Sequence, residues 1–321
     1  MTTSTASLLP PDVSGSSGGR ASDRGFRWLL RLVGVGLVAL LIGIMAMLLL
    51  GSAKTWSTFG LSFLTGMVWD PSNDLYGAFP FIAGTIATSA LAMSIAVPVG
   101  LLTAIFLSEI APRRIALPLI FMVELIAAIP SVVIGLWGVG VLSVLLRDVI
   151  EVPFVDRFGD VPFFGASAYG SDLLAASLVL ALMVTPTIVA LTREVFANVP
   201  QLERDALVGL GGTRWETIRV VVLPAARSGF IGSCVLALGR AMGETMAVAM
   251  VIGNVDQVPS GLFEPAQTIS SKVALSWGES TQGLETSSLI ALGVVLMAVT
   301  VSTVVATRLM IRASRRSGMA A

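Results

Sequence analysis

The chain has 321 residues, of which 55% are hydrophobic and 12% are charged, and its 20 basic and 20 acidic side chains leave no net charge. Because a soluble domain is about a quarter charged, this composition predicts an integral membrane protein. One cysteine and no histidine exclude a disulfide framework, a zinc cluster or an iron–sulfur centre within the chain, and neither of the two lysines closes a glycine-rich loop that could hold ATP phosphates.

Residues 1–27 are rich in Ser, Thr, Gly and Pro and are predicted to form a disordered polar tail. The apolar run that follows, at 28–50, is long enough to cross a hydrocarbon core of about 30 Å at 1.5 Å per residue. Since the core of a secretory signal has only about 7–15 residues, we expect this run to be retained as the first membrane helix.

Five further apolar segments predict an all-α protein with six membrane helices. They lie at 81–108, 116–146, 172–196, 228–253 and 286–311. The third contains two prolines, which remove helical hydrogen bonds, so we expect it to be kinked or split. No internal repeat is visible, which disfavours a secondary transporter built from inverted repeats.

Lys and Arg residues are strongly biased to one side of this arrangement. Fifteen of them lie in or border the two termini and the loops after the second and fourth spans, whereas the other side holds only Lys54, Arg147, Arg157 and Lys272. The positive-inside rule therefore places both termini in the cytoplasm, including a basic tail at 312–321.

The loops on the opposite side are acidic and carry several aromatic residues, among them Trp56, Trp69, Phe163, Phe164 and Tyr169. An aromatic belt at the membrane interface is one explanation for them. Docking of a partner protein at this outer surface is the alternative.

Two charged residues, Arg240 and Glu244, interrupt the predicted fifth span. Each would cost roughly 2.5–3.5 kcal/mol at the centre of a lone membrane helix. A spacing of four residues puts both on one helical face, which we expect to point into the bundle or a polar pathway rather than into lipid. A purely structural ion pair is the alternative. Glu124, a third charge inside a predicted span, either contributes to the pathway, or pairs with an arginine, accepts a hydrogen bond or is protonated.

The loop at 197–227 is too long and too patterned for a simple connection. Residues 201–208 are predicted to form a short helix that Gly211 and the glycine after it terminate. Thr213 and Glu216 have the spacing of a capping box, so a second helix should begin there and end before the next proline. Two short helices at the membrane surface form either a structural elbow or a rigid knob for a partner.

A known motif favours the knob. Permeases of ABC importers carry a cytoplasmic motif of Glu-Ala-Ala, three residues, Gly, nine residues, Ile, one residue and Leu-Pro. The chain resembles it with complete spacing and three conservative departures, through Asp205, Ala206, Leu207, Gly211, Val221, Leu223 and Pro224. In that family this loop is the coupling helix that inserts into a groove of the ATPase subunit. The resemblance implies the same role for these residues and for Thr213, Trp215 and Glu216 beside them.

Within this family the chain resembles the phosphate-specific permeases of the PstC type. The similar stretches are 76–85 (YGAFPFIAGT), 124–138 (ELIAAIPSVVIGLWG), 239–248 (GRAMGETMAV) and 250–254 (MVIGN). The run around Arg240 and Glu244 is the most specific of them. The resemblance extends over roughly residues 55–310 and leaves the N-terminal tail out.

The resemblance implies a type I ABC importer permease (MetI-like) bundle without a catalytic site, metal or cofactor of its own. It implies passage of inorganic phosphate across the bacterial cytoplasmic (inner) membrane, with Arg240, Glu244 and Glu124 on the substrate pathway. The implied partners are a second permease subunit of the PstA type, a cytoplasmic PstB-type ATPase dimer that binds ATP and Mg, an extracytoplasmic phosphate-binding protein of the PstS type, and the lipid bilayer, with no nucleic acid. A permease for another oxyanion, such as molybdate or sulfate, and an ATP-independent secondary transporter or channel remain as alternatives.

Overall fold

A computed structural model of the chain describes residues 17–159, 161, 163–165, 168–280 and 283–317. The helices in chain order are α1 (Ser17–Gly51), α2 (Ala53–Phe59), α3 (Ser62–Thr65), α4 (Phe79–Ile105), α5 (Arg113–Ala128), α6 (Ser131–Trp137), α7 (Ser143–Leu146), α8 (Val152–Phe158), α9 (Leu173–Ala197), α10 (Gln201–Gly209), α11 (Arg214–Glu216), α12 (Leu223–Gly243), α13 (Met246–Val251), α14 (Ile269–Ser276) and α15 (Leu284–Ser317). A two-stranded antiparallel hairpin, β1 (Trp69–Asp70) and β2 (Leu75–Tyr76), lies between α3 and α4.

Turns of π-helix join several of these helices into longer ones. They extend α4 at Phe106–Ile110, connect α6, α7 and α8 at Gly138–Leu142 and Arg147–Glu151, and connect α11 to α12 at Thr217–Val222. Among the described residues, six of the resulting helices are long and apolar enough to cross a membrane, which confirms the predicted number. We call them spans 1 to 6: Gly25–Gly51, Phe79–Ile110, Ser131–Phe158, Leu173–Ala197, Arg214–Gly243 and Leu284–Leu309.

The chain divides into two units, residues 1–50 and residues 51–321. In the first unit α1 begins at Ser17, so residues 17–27 are helical and not disordered as predicted. Once an apolar helix has formed, each further residue adds a backbone hydrogen bond without a new nucleation cost. In the second unit α15 likewise continues into the predicted basic tail, and the outermost parts of both tails lie outside the described residues.

The predicted third span at 116–146 is split, as its prolines suggested, into α5 and the continuous helix of span 3. The break falls at Ile129, which is extended (φ −66°, ψ 129°) because Pro130 disfavours a helical conformation in the residue before it. Pro118 lies inside α5 without ending it. Span 3 then continues to Phe158, well beyond the predicted end.

Span 5 begins earlier than the predicted 228–253. It starts at Arg214 and passes through Pro224, where the sequence had predicted the end of a separate short helix. The π-helical turn at Thr217–Val222 changes the hydrogen-bond register just before the proline and so accommodates its missing N–H. The second half of the loop at 197–227, from Arg214 onward, is therefore continuous with the fifth membrane helix.

Span 5 also ends earlier than predicted. Glu244 is extended, with φ −66° and ψ 132°, so α12 stops at Gly243. The apolar segment resumes as a separate helix, α13, at Met246. Arg240 and Glu244 therefore do not share a face of one continuous helix: Arg240 lies in the last turn of span 5, and Glu244 lies in the break.

Span 4 is the central and most buried helix of the second unit. Small residues let its neighbours approach closely, and a Cβ added at Gly100 of span 2 would lie 2.8 Å from Ile188 Cγ2 of span 4. The core around span 4 includes Ala92, Ala96, Val179, Leu180, Val184, Ala237, Val248 and Ile252. A second cluster surrounds Phe81 and Ile269, and a third surrounds Phe196 and Val222 where the coupling loop joins the bundle.

Candidate functional site

The break that ends span 5 carries the two charges that the sequence singles out. Arg240 is exposed on this chain, and in the part of the chain that the structure describes no carboxylate pairs with its guanidinium. Glu244 is half-buried, and its Oε1 accepts a long hydrogen bond of 3.5 Å from the Ala247 N–H at the start of α13. Its backbone carbonyl accepts a hydrogen bond of 2.7 Å from the Ser270 hydroxyl of α14. The break is thus held by α14, and the described residues form no Arg240–Glu244 ion pair.

The contacts of α14 show how deep the break lies. The Ile269 N–H at the start of α14 donates to Thr85 Oγ1 of span 2 at 2.9 Å. Thr85 is six residues from the start of span 2 at Phe79, which corresponds to about 9 Å along the helix. Since the hydrocarbon core is about 30 Å thick, the break lies well inside the bundle, in the half next to the Phe79 end. Irregular backbone at such a depth is tolerated where protein buries it or where it lines a water-filled cavity.

Glu124 lies apart from this break on α5. Its side chain is exposed, and among the described residues no ion pair joins it to Arg240 or Glu244. The structure thus places Glu124 on a helix that is not among the six spans of the described residues. Its exposed carboxylate is accessible to a cation or a hydrogen-bond donor of a second subunit, or to water.

The coupling loop presents apolar side chains to solvent. Leu202 and Leu210 of the α10 region are 80% and 85% exposed, and Trp215 of α11 is 57% exposed. Asp205 and Ala206 are exposed as well, and Asp205 Oδ1 accepts a hydrogen bond of 2.9 Å from Gln201 within α10. Apolar side chains exposed close together in this way are typical of protein-interaction surfaces.

The turn after α10 is a Schellman motif. The Gly212 N–H donates to the Leu207 carbonyl at 3.0 Å, and the Gly211 N–H donates to the Val208 carbonyl at 2.9 Å. Gly211 has a φ of +88°, in the left-handed region that glycine adopts without a steric penalty. The glycine pair therefore sets the angle between α10 and α11.

The second helix of the loop starts as the sequence predicted. The Thr213 N–H donates to Glu216 Oε2 at 2.7 Å, and the Glu216 N–H donates to Thr213 Oγ1 at 3.3 Å, which confirms the capping box. Beyond it the buried side chains of Ile218 and Val222 anchor the loop in the core. Leu223 and Pro224, which close the motif, lie within span 5.

A buried ion pair that the sequence analysis missed fixes α10 to the bundle. The Arg204 guanidinium contacts the Glu109 carboxylate at the end of span 2, and the two side chains are only 15% and 9% exposed. Arg204 Nη2 also donates to the Phe196 carbonyl of span 4 at 2.7 Å. Arg204 and Glu109 are 95 positions apart in the sequence, so no local pattern could have revealed their ion pair.

A second missed ion pair lies at the other end of the bundle. The sequence predicts Lys272 only as a basic residue of an outer loop. In the structure it lies on α14 and is buried, and its Nζ is 2.5 Å from Asp256 Oδ2. The ammonium also lies 5.2 Å and 5.4 Å from the ring centroids of Trp69 and Phe81. The cation–π contacts and the ion pair tie α14, and with it the break in span 5, to span 2 and the hairpin.

Comparison with known proteins identifies the family. The family model for the binding-protein-dependent transport system inner membrane component matches residues 96–316, which include the break and the coupling loop. The chain is 42% identical to the phosphate transport system permease protein PstC of Mesorhizobium japonicum, over 87% of this chain and 86% of that protein. The chain belongs to the PstC family. The PstC protein of Pasteurella multocida is 40% identical, over 91% of this chain and 93% of that protein. The PstC protein of Xylella fastidiosa is also 40% identical, over 98% of this chain and 99% of that protein.

Solved structures agree with the fold of a PstC-family permease. The chain superposes on the inward-facing MetNI methionine ABC transporter with a TM-score of 0.52 and 18% identity, over 74% of this chain and 94% of that one. It superposes on a bacterial alginate ABC transporter with a TM-score of 0.59 and 16% identity, over 91% and 96%. These likenesses confirm the predicted MetI-like bundle, and this PstC-family chain is a multi-pass membrane protein of the ABC importer permeases.

Proposed function

We propose that the chain is a permease subunit of an ABC importer that moves inorganic phosphate across the bacterial cytoplasmic membrane. The observation that carries this proposal is Arg240 beside the break in span 5, which pairs with no carboxylate among the described residues, in a chain about 40% identical to phosphate transport permeases. A guanidinium presents a planar fork of donors that matches phosphate oxygens. Because no carboxylate of the described residues pairs with it, its donors are available to an anion that has left its water behind.

Glu244 and Glu124 complete the proposed pathway. Glu244 lies in the break next to Arg240, where a negative charge would keep phosphate from binding too tightly to leave. Glu124 lies on α5, before the helix break at Ile129, and supplies an acceptor or a second negative charge on the cytoplasmic side. Neither residue pairs with a cation among the described residues, which leaves both able to interact with the permeating ion or a second subunit.

The chain works in this proposal as one half of a channel and has no catalytic site of its own. A PstA-type permease would cover the exposed face that carries Arg240, and a PstS-type protein would deliver phosphate from outside. A PstB-type ATPase dimer would bind ATP and Mg and grip the exposed leucines of α10. Nucleic acid has no place in the cycle.

The proposal is tested by uptake of radiolabelled phosphate into vesicles that contain the complete complex. Uptake should require internal ATP, and excess unlabelled phosphate should compete while sulfate and molybdate should not. Equal competition by molybdate or sulfate would assign the permease to another oxyanion. Uptake without ATP, driven by an ion gradient, would assign it to the secondary transporters.

Substituting Gly211 should separate coupling from membrane insertion. Gly211→Val places a β-branched residue at φ +88°, so the Schellman turn should open, and both ATPase pull-down and phosphate uptake should fall about tenfold or more. Gly211→Asn is the matched control, because Asn tolerates the left-handed conformation and should keep most of both activities. A Val variant as active as the Asn variant would contradict the assignment of this turn.

The orientation of the chain is open to a labelling test. Single cysteines at positions 279 and 316, in a Cys234→Ala background, should react differently with an impermeant thiol reagent in intact cells. Position 279 precedes span 6 on the predicted outer side and should be labelled, whereas 316 should be labelled only after permeabilisation. The reverse pattern would place the termini outside. Position 160, an alternative outer site in the predicted loop, lies outside the described residues.

A further inference from the structure

Two fully buried carboxyl groups meet where span 3 approaches the start of span 4. Glu151 lies in the π-helical turn that precedes α8, and Asp172 caps α9, and both have no exposed surface. One oxygen of each has a backbone donor: Glu151 Oε2 accepts from the Gly170 N–H and Asp172 Oδ1 accepts from the Ala175 N–H, both at 2.8 Å. Neither group takes part in the proposed phosphate pathway or the coupling loop.

The second oxygen of each group has no donor. Glu151 Oε1 and Asp172 Oδ2 are buried and unpartnered, yet the two side chains lie within hydrogen-bonding reach of each other. Two ionised carboxylates offer only acceptors and repel one another, so one of a close pair holds a proton. A single proton between these two oxygens would satisfy both of them.

The charged groups around Glu151 on its own helix do not neutralise the pair. Arg147, one turn earlier, is half-exposed and donates from Nε to Asp148 Oδ1 at 2.9 Å. Arg157 on α8 lies over the ring of Phe158, 6.0 Å from its centroid. Arg147 is thus close enough to Glu151 for a Coulombic interaction, but its guanidinium is paired with Asp148 at the surface.

The elements packed against Asp172 bring no cation either. The backbone carbonyl of Glu264 accepts a hydrogen bond of 3.0 Å from the Leu173 N–H, next to Asp172. The Glu264 carboxylate instead accepts hydrogen bonds from the backbone N–H and the hydroxyl of Ser260. The ionisable side chains of span 4, at 193 and 194, lie at its opposite end. Among the described residues, the pair therefore has no direct ionic partner to replace a proton.

We propose that Glu151 and Asp172 form a proton-binding site that clamps the end of span 3 to the start of span 4. With one proton, the pair has every buried oxygen satisfied and holds the Gly170 backbone against Glu151. Without it, two negative charges share a buried site, and the clamp opens. This site is separate from the phosphate pathway, and its ligand is the proton.

The acid–base balance of Asp172 agrees with this geometry. Burial, and after it the nearby charge of Glu151, raises the pKa of Asp172 from 3.8 to about 8. The folded state thus binds a proton more tightly than the unfolded state between these values. The contribution to stability is complete below the unfolded pKa of 3.8 and is lost as the pH rises through about 8.

Hydrogen–deuterium exchange on the complete complex in lipid nanodiscs tests the proposal. After correction for intrinsic exchange, peptides covering 147–158 and 168–176 should exchange several-fold faster at about pH 9 than at about pH 6.5. Glu151→Gln should remove this difference, because its amide can donate to Asp172 Oδ2 at any pH while its oxygen still accepts from Gly170. Glu264→Gln, a neighbouring acid with its own donors, is the matched control and should keep the wild-type difference.

Two further measurements keep the proposal falsifiable if Glu151→Gln does not assemble. Asp172→Asn places the donor on the other partner, can still cap α9, and should also abolish the pH difference. On the wild-type complex, infrared difference spectra should show the carbonyl band of a protonated carboxyl group that disappears as the pH rises through about 8. An unchanged pH difference in either variant, or the lack of such a band, would overturn the proposal.

Discussion

Replacing Arg240 with Gln is expected to reduce ATP-dependent phosphate uptake, normalised to assembled complex, by about 30-fold or more. The estimate follows from the cost of about 2–5 kcal/mol for truncating one partner of a buried, hydrogen-bonded charge pair. In the proposed pathway the second partner is the permeating phosphate, and the described residues pair no carboxylate with Arg240. Gln keeps much of the side-chain length and removes the charge, so insertion and assembly should be unaffected.

Four further variants separate a transport role from a structural one. Arg240→Lys should retain partial uptake, because a point charge replaces a bidentate fork. Glu244→Gln should slow turnover by leaving phosphate bound too firmly. Arg308→Gln, at an exposed arginine near the C-terminal end of span 6, is the matched control and should transport normally. Normal uptake by the double variant Arg240→Gln with Glu244→Gln would end the transport role of this pair.

Replacing Arg204 with Gln should uncouple ATP hydrolysis from uptake. The change leaves Glu109 buried without its cation, and breaking a buried pair costs about 3–5 kcal/mol, which the partial exposure of both side chains brings towards the lower figure. Because α10 is then no longer fixed to span 2, movement of the ATPase should not reach the membrane helices. Uptake should fall about tenfold or more, while ATPase pull-down persists through the exposed leucines of α10.

A control on the same helix and a rescue by charge exchange accompany the Arg204 variant. Glu203→Gln changes an exposed charge on the same helix and should leave the ratio of ATP hydrolysed to phosphate imported unchanged. Glu109→Gln should reproduce the uncoupling, and exchange of the two charges, Arg204→Glu with Glu109→Arg, should restore part of the uptake. Uptake at the normal rate in both single variants would show that the ion pair does not transmit movement.

The sequence alone was sufficient for the features that depend on local composition. Hydropathy predicted six membrane helices because the cost of exposing polar backbone to lipid is set within each segment of about 20 residues. The capping box at Thr213 and Glu216 and the turn at Gly211 were predictable because their hydrogen bonds join residues only a few positions apart. The motif at 205–224 and the run at 239–248 were sufficient to indicate the family that the comparisons confirm.

Only the tertiary structure revealed where the helices break and which buried charges meet. Hydropathy does not distinguish a continuous span from one that stops at Gly243, because the extended backbone at Glu244 is satisfied by a hydroxyl 26 residues away. The Arg204–Glu109 pair and the clamp between Glu151 and Asp172 were likewise not predictable, because the partners are distant in the sequence. A charge buried in a membrane protein is stable only through its partner, and in these cases the partner comes from another segment of the chain, brought near by packing around span 4.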